Sequence, residues 1–159
     1  MSQLAAHIAQ TRLIDTHEHL AGEKEFVEGG PDLLQDLFDN YVQADLLVAG
    51  ASEDAVRRLL DASDPDLAGR LAGARDAWLR CRHTGYGEAV RLIARLIYDI
   101  AEIAELTPAQ LEAAQARNRK LRRPGERLRL LRDVANLDHV QVDNYLWECP
   151  PDASGPDFF

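Results

Sequence analysis

The sequence contains little cysteine, with Cys81 and Cys149 as the only two thiols in 159 residues. They stand far apart and outside any C-x-x-C spacing, so they indicate neither a disulfide framework nor a thiolate zinc site. We therefore expect both to be free thiols. Internal repeats and low-complexity segments are also absent, which excludes repeat arrays and compositionally biased linkers.

Long apolar runs are missing as well, and no stretch of the sequence approaches the length of a membrane span. The opening residues, Met1 to His7, have neither the basic region nor the apolar region of a secretion signal. Positive charge is in deficit, with 18 basic against 27 acidic residues and a net charge of -9. Phosphate backbones and anionic membranes repel such a molecule. We expect a cytoplasmic protein without nucleic-acid or membrane partners.

What the chain does have is enough apolar sequence for a packed core, since 46% of its residues are hydrophobic and 28% are charged. Two short segments have the pattern of strands. Leu13 to Thr16 lead into His17, and His139 to Asp143 alternate apolar and polar residues. Ala21 to Gly30, rich in charge and ending in two glycines, is predicted to be a loop.

The region between the strands, residues 31–135, has helical periodicity, so the fold class is α/β with mostly helical content. Helix starts are predicted at Ser52, at Asp64 before Pro65, and at Thr107, whose Thr-Pro-Ala-Gln sequence has the form of a capping box. The last helix is predicted over Gly125 to Ala135. The apolar residues expected to be buried are Leu34, Leu37, Phe38, Tyr41, Val56, Leu59, Leu60, Leu67, Leu71, Ala74, Trp78, Leu92, Ile93, Leu96, Ile97, Ile100, Leu128 and Leu131.

A His-x-His triplet ends the first strand. Side chains two apart on a strand point to the same side, so His17 and His19 can present two imidazoles to one metal ion. Asp15 shares that side and can orient a ligand imidazole, whereas Glu18 points the other way. The alternative is a chance triplet on an exposed loop, without function.

A second group surrounds two glycines between helical segments. Arg82, His83 and Tyr86 can offer a cation and a phenol to an anionic substrate. The alternative is a structural helix-to-helix turn with Gly85 or Gly87 as a left-handed cap. Asp143 at the end of the second strand can likewise face a substrate, or can begin a turn.

A basic run, residues 117–132, stands out in an otherwise acidic chain and could bind an anion or nucleic acid. Leucines interrupt it at helical spacing, and no aromatic residue is interleaved for base stacking. We therefore expect a solvated helix face. Trp78, Tyr98 and Trp147 are expected in the core.

Two stretches carry a family resemblance. Ile14 to Leu20, Ile-Asp-Thr-His-Glu-His-Leu, resembles the first-strand motif of the amidohydrolase superfamily. Arg82 to Ala89 resembles a segment of its amidohydrolase-2 branch, which is related to uronate isomerases. The resemblance spans nearly the whole chain. It implies that residues 31–135 are a helical insertion and that His139 to Asp143 form the second strand of a (β/α)8 barrel.

The resemblance implies a metal-dependent hydrolase of a small polar substrate. His17 and His19 would bind zinc or manganese, and Arg82, Tyr86 and Asp143 would contact the substrate. Further metal ligands and a proton-accepting aspartate would come from later strands. Because a barrel typically needs about 250 residues, we expect residues 1–159 to be one incomplete domain, inactive alone. A uronate-type isomerase or a decarboxylase on the same scaffold is the nearest alternative, and a small helical interaction protein with an incidental triplet is another. Each of these interpretations is compatible with a homo-oligomer.

Overall fold

The computed structural model describes residues 2–142 and 152–159. Within them the chain is mostly helical, with two strands that pair in parallel, so it is a mixture of α and β structure. Three positions discussed above, Asp143, Trp147 and Cys149, lie outside the described residues. The chain divides into two compact units. We call Met1–Gly30 with Leu121–Phe159 the strand unit, and Pro31–Lys120 the helical unit.

The strand unit contains both predicted strands. Its elements are α1 (Gln3–Gln10), β1 (Leu13–Glu18), α2 (Glu23–Gly29), α9 (Glu126–Arg129), a π-helical turn (Leu130–Val134) and β2 (Leu137–Val142). Asp15 lies opposite Val140, and Glu18 lies opposite Val142, with irregular register between them. Because the pairing is parallel, the carboxyl ends of the two strands lie at the same edge of the sheet.

One prediction for this unit was wrong. The segment predicted to be a loop contains α2, which begins with acidic residues that favour a helix N-terminus. Its last carbonyls, those of Val27 and Glu28, accept hydrogen bonds from the guanidinium of Arg122. The helix predicted over Gly125 to Ala135 is confirmed as an unbroken helical segment, in which the single turn of α9 is followed by the π-helical turn. Asn136, with φ of 57°, then turns the chain into β2.

The helical unit consists of short helices arranged around one core. They are α3 (Leu33–Phe38), α4 (Val42–Val48), α5 (Glu53–Leu59), α6 (Leu67–Cys81), α7 (Gly85–Tyr98), a 3₁₀ turn (Ile103–Glu105) and α8 (Pro108–Leu121), whose last residue belongs to the strand unit.

Local capping chemistry fixes most of these helix starts. The predicted caps are confirmed at Ser52, whose hydroxyl accepts from the backbone N–H of Ala55, and in the reciprocal pair of Thr107 and Gln110. The cap of α6 is Asp66 rather than the predicted Asp64. Asp64 instead accepts from the backbone N–H of Asp66, so it shapes the turn that precedes the helix.

The core of this unit confirms the predicted stripes of α3, α5 and α6, with Trp78 fully buried against Phe38. Two predictions of burial were wrong. Tyr41 is 74% exposed, and the predicted stripe of α7 lies largely at the surface. The helix buries the arc that contains Gly87, Val90, Ala94 and Tyr98 instead. A Cβ at Gly87 would stand 2.4 Å from the carbonyl oxygen of Cys81, so only glycine permits this close approach.

A buried hydrogen bond joins Tyr98 to Asp36. The tyrosine hydroxyl donates to the carboxylate and accepts a hydrogen bond from the side-chain amide of Asn118. Burial raises the pKa of Asp36 above its ordinary value of 3.8, and the neighbouring Asp32 adds to this effect, while the hydrogen bond from Tyr98 opposes it. Burial and then the charge of Asp36 raise the pKa of Tyr98 as well.

The raised pKa of Asp36 predicts a pH-dependent stability. Above about pH 4 the unfolded chain loses this proton while the folded chain keeps it, so this carboxyl makes the fold less stable as the pH rises towards its folded pKa. Asp36→Asn keeps an acceptor for Tyr98 and cannot ionise. The quantity to compare is the free energy of unfolding of Asp36→Asn minus that of the wild type, each measured by urea denaturation. This difference is expected to increase with pH. A difference that is constant from about pH 4 to about pH 7 would contradict this assignment.

Candidate metal centre

The two histidines of the triplet lie side by side at the carboxyl end of β1. His17 is in the strand and His19 directly follows it. Their ring centroids are 4.7 Å apart, and the ring planes are inclined by 83°. Both side chains are exposed. A carboxylate oxygen of Asp15 accepts a hydrogen bond of 3.2 Å from the backbone N–H of His17, so Asp15 helps to shape the backbone that presents the pair.

Two neighbouring imidazoles can be compared with the ligand set that a metal site needs. A neutral imidazole is a common zinc ligand, and a catalytic zinc ion usually has three protein ligands and a water molecule. In the part of the chain that the structure describes, no cluster of three or more histidine, cysteine, aspartate or glutamate side chains could hold a metal ion. His17 and His19 alone would supply only two of the three protein ligands of such a site.

Two of the three residues predicted to contact substrate, Arg82 and Tyr86, lie at a helix-to-helix corner in the helical unit. Arg82 donates a hydrogen bond of 2.6 Å to Glu102 and is partly buried. Tyr86 is half exposed, and its ring packs against that of Tyr41 with centroids 5.4 Å apart. Arg82 and Tyr86 thus have structural partners, and the histidine pair belongs to the other unit.

The alternative interpretation of this corner is corrected in one detail. Neither Gly85 nor Gly87 has a positive φ, so no left-handed glycine caps a helix there. The side chain of Thr84 caps α7 by accepting from the backbone N–H of Gly87. His83 lies 3.1 Å from a carboxylate oxygen of Glu88, and this hydrogen bond lowers the pKa of Glu88. Asp143 lies outside the described residues.

The strand unit also contains a cavity of about 720 Å³. Residues 20–24, residues 139–142 and the segments 152–153 and 156–159 line it, together with Arg127. Among the described residues, the lining includes Leu20, which directly follows His19, but neither His17 nor His19.

Arg127 is a buried charged residue of the strand unit that the sequence did not predict to be buried. The basic run was expected to be solvated, but Arg127 is only 7% exposed. It donates to the carbonyl oxygen of Ala21, and its Nε lies 3.3 Å from a carboxylate oxygen of Glu23. The rings of Phe26 and Phe159 lie about 5 Å from the guanidinium carbon. These partners are remote in sequence, so no local pattern marks this arginine.

Comparisons with known proteins add no family to these observations. No protein-family model matches the chain, and neither curated proteins nor solved structures include a significant match. In residues 2–142 and 152–159, no helix has the length and apolar character needed to cross a membrane.

Proposed function

We propose that this chain contributes the first metal-binding strand of a metal-dependent hydrolase of the amidohydrolase type, acting on a small polar substrate. The observation that carries this proposal is the adjacency of the His17 and His19 imidazoles at the carboxyl end of a parallel strand. In parallel barrels the catalytic face is formed at that end of the strands. Zinc is the metal that suits two imidazoles, with manganese as the alternative.

The exposure of apolar side chains on β1 supports a larger barrel. Consecutive residues of β1 point to opposite faces, yet Leu13 is 60% exposed and Ile14 is 56% exposed. Parallel sheets occur almost only where both faces are covered. Further strands and helices of a barrel would cover both of these side chains. The helical unit, between β1 and β2, would then be an insertion after the first strand.

The chemistry of the proposed site follows from these residues. A bound divalent metal lowers the pKa of its water and polarises a carbonyl group. The imidazoles of His17 and His19 would each donate a nitrogen lone pair to that metal, and Asp15 would maintain the backbone that carries them. A third ligand and a proton acceptor would come from outside the described residues. Arg82, Tyr86 and Asp143 remain proposed substrate contacts.

The 159-residue chain alone is expected to lack hydrolase turnover, because its described residues supply only a partial ligand set. The assay is a panel of amides, lactones and sugar acids with added zinc or manganese, and the sugar acids also test the isomerase alternative. Metal-dependent turnover by this chain would contradict the partial-site proposal. In a protein that carries the remaining barrel strands, His17→Ala is expected to lower kcat/KM at least about 100-fold, since the loss of supporting residues alone costs 10 to 100-fold. The matched control is His7→Ala, on α1.

A helical interaction protein is the second candidate, and the exposed apolar face of α7 favours it. In that case the histidine pair has no metal role. A chain that binds no divalent metal but forms a defined complex through α7 would support this candidate over the hydrolase.

A further inference from the structure

Helix α7 presents a continuous apolar stripe to solvent. Tyr86, Ala89, Ile93 and Leu96 follow a spacing of three, four and three residues, with Leu92 beside them, and all five are exposed. This spacing places side chains along one face of a helix and is the pattern by which two helices pack together. Since the opposite arc of α7 is buried in the helical unit, the stripe is a second packing surface on the same helix.

The stripe extends onto a neighbouring element. Tyr41, which precedes α4, is 74% exposed, and its ring packs on that of Tyr86. At the other end of the stripe Leu96 is 72% exposed. Contiguous apolar surface of this kind, bordered by charge, is typical of a protein–protein interface. Aromatic residues are also enriched at such interfaces.

The charges that border the stripe are self-complementary. Glu88 and Arg95 are seven residues apart, about two helical turns, so they lie on the same edge of the stripe near its opposite ends. In the described ranges, no acidic side chain forms an ion pair with Arg95. When two copies of α7 pack antiparallel about a twofold axis, Glu88 of each copy faces Arg95 of the other. Parallel packing about a twofold axis would place the Glu88–Arg95 edges of the two copies on opposite sides of the interface, so the two charges would not pair.

We propose that α7 is a homodimer interface in which two copies of this chain pack their exposed stripes antiparallel. The interface is isologous, so each contact occurs twice. At each end of the interface, Leu96 of one copy packs against the rings of Tyr41 and Tyr86 of the other copy. The proposal is independent of the metal site, because all of its residues belong to the helical unit.

The first test is analytical ultracentrifugation of the full chain and of Leu96→Glu. The wild type is expected to be dimeric. The variant is expected to raise the dimer Kd at least about 100-fold, because it removes two buried leucines per dimer and places two charges in the interface. Leu4→Glu, on exposed α1 of the strand unit, is the matched control and should leave the Kd unchanged. A monomeric wild type, or a Leu96→Glu variant that dimerises as well as the wild type, would overturn the proposal.

The second test examines the orientation by charge exchange. Arg95→Glu and Glu88→Arg are each expected to raise the dimer Kd about tenfold, since each converts two ion pairs into like-charge contacts. Glu88 also pairs with Arg91 within its own copy, so the single variants are not decisive. The double variant Glu88→Arg with Arg95→Glu restores opposite charges only in the antiparallel arrangement, and should recover most of the affinity. A double variant no tighter than the single variants would overturn the antiparallel interface.

Discussion

Arg70→Met is expected to lower the free energy of unfolding of the helical unit by about 3 to 5 kcal/mol, the usual cost of removing one partner from a buried ion pair. Arg70 is only 1% exposed. Its guanidinium donates to both carboxylate oxygens of Asp32, at 2.5 and 3.2 Å, and to the carbonyl oxygen of Leu59 at 2.9 Å. Methionine fills similar space, but it leaves the carboxylate without its countercharge and the carbonyl of Leu59 without the guanidinium donors, although Asp32 still accepts from the backbone N–H of Gln35.

The measurement is urea denaturation followed by far-ultraviolet circular dichroism. Arg80→Met is the matched control, because Arg80 lies on the same helix and is exposed, and its one side-chain hydrogen bond within the described residues is to the carbonyl oxygen of Ala49. The control is expected to cost less than about 0.5 kcal/mol. Equal losses in the two variants would show that burial of the Arg70–Asp32 pair contributes nothing particular.

Arg127→Met is expected to have an effect of similar size on the strand unit. In residues 2–142 and 152–159, Arg127 is the only cation that pairs with Glu23, so without the guanidinium this buried carboxylate has no described countercharge, and Asp152 loses the cation 3.7 Å away. Glu23 also accepts a hydrogen bond of 2.7 Å from the backbone N–H of Gly125, and Asp152 accepts one of 2.6 Å from that of Glu23. Losing Arg127 would therefore loosen contacts between α2, the start of α9 and the segment 152–159.

Hydrogen exchange measured by mass spectrometry tests this prediction. Protection of α2 is expected to fall at least about 100-fold in Arg127→Met, as a loss of about 3 kcal/mol implies. Arg129→Met is the control, since Arg129 is half exposed and its one ion pair among the residues that the structure describes is with Glu126, one turn away. Unchanged protection of α2 in Arg127→Met would show that other contacts hold this helix.

Features set by neighbouring residues were predictable. The cap of Ser52 and the reciprocal pair of Thr107 and Gln110 depend on side chains three residues apart, and both are present. The strand β1 and the adjacency of His17 and His19 follow from local alternation in the same way.

Features that depend on residues far apart in the sequence were not predicted. The helix α2 has carbonyls that bond to Arg122, about 95 residues later, and no local pattern signals this partner. For α7, the apolar pattern predicted burial of Leu92 and Leu96, whereas the close approach at Gly87 fixes a different arc towards the core. Tertiary packing can override local amphipathic pattern in this manner.

The central claim is that His17 and His19 bind a divalent metal together, and calorimetric titration of the metal-free chain with zinc tests it most directly. We expect one zinc ion per chain, with weak affinity because two imidazoles are only part of a ligand set. His17→Ala with His19→Ala should abolish this binding, while His7→Ala, on α1 of the same unit, should leave it unchanged. Zinc binding of equal stoichiometry and affinity in the double variant and the wild type would contradict the account.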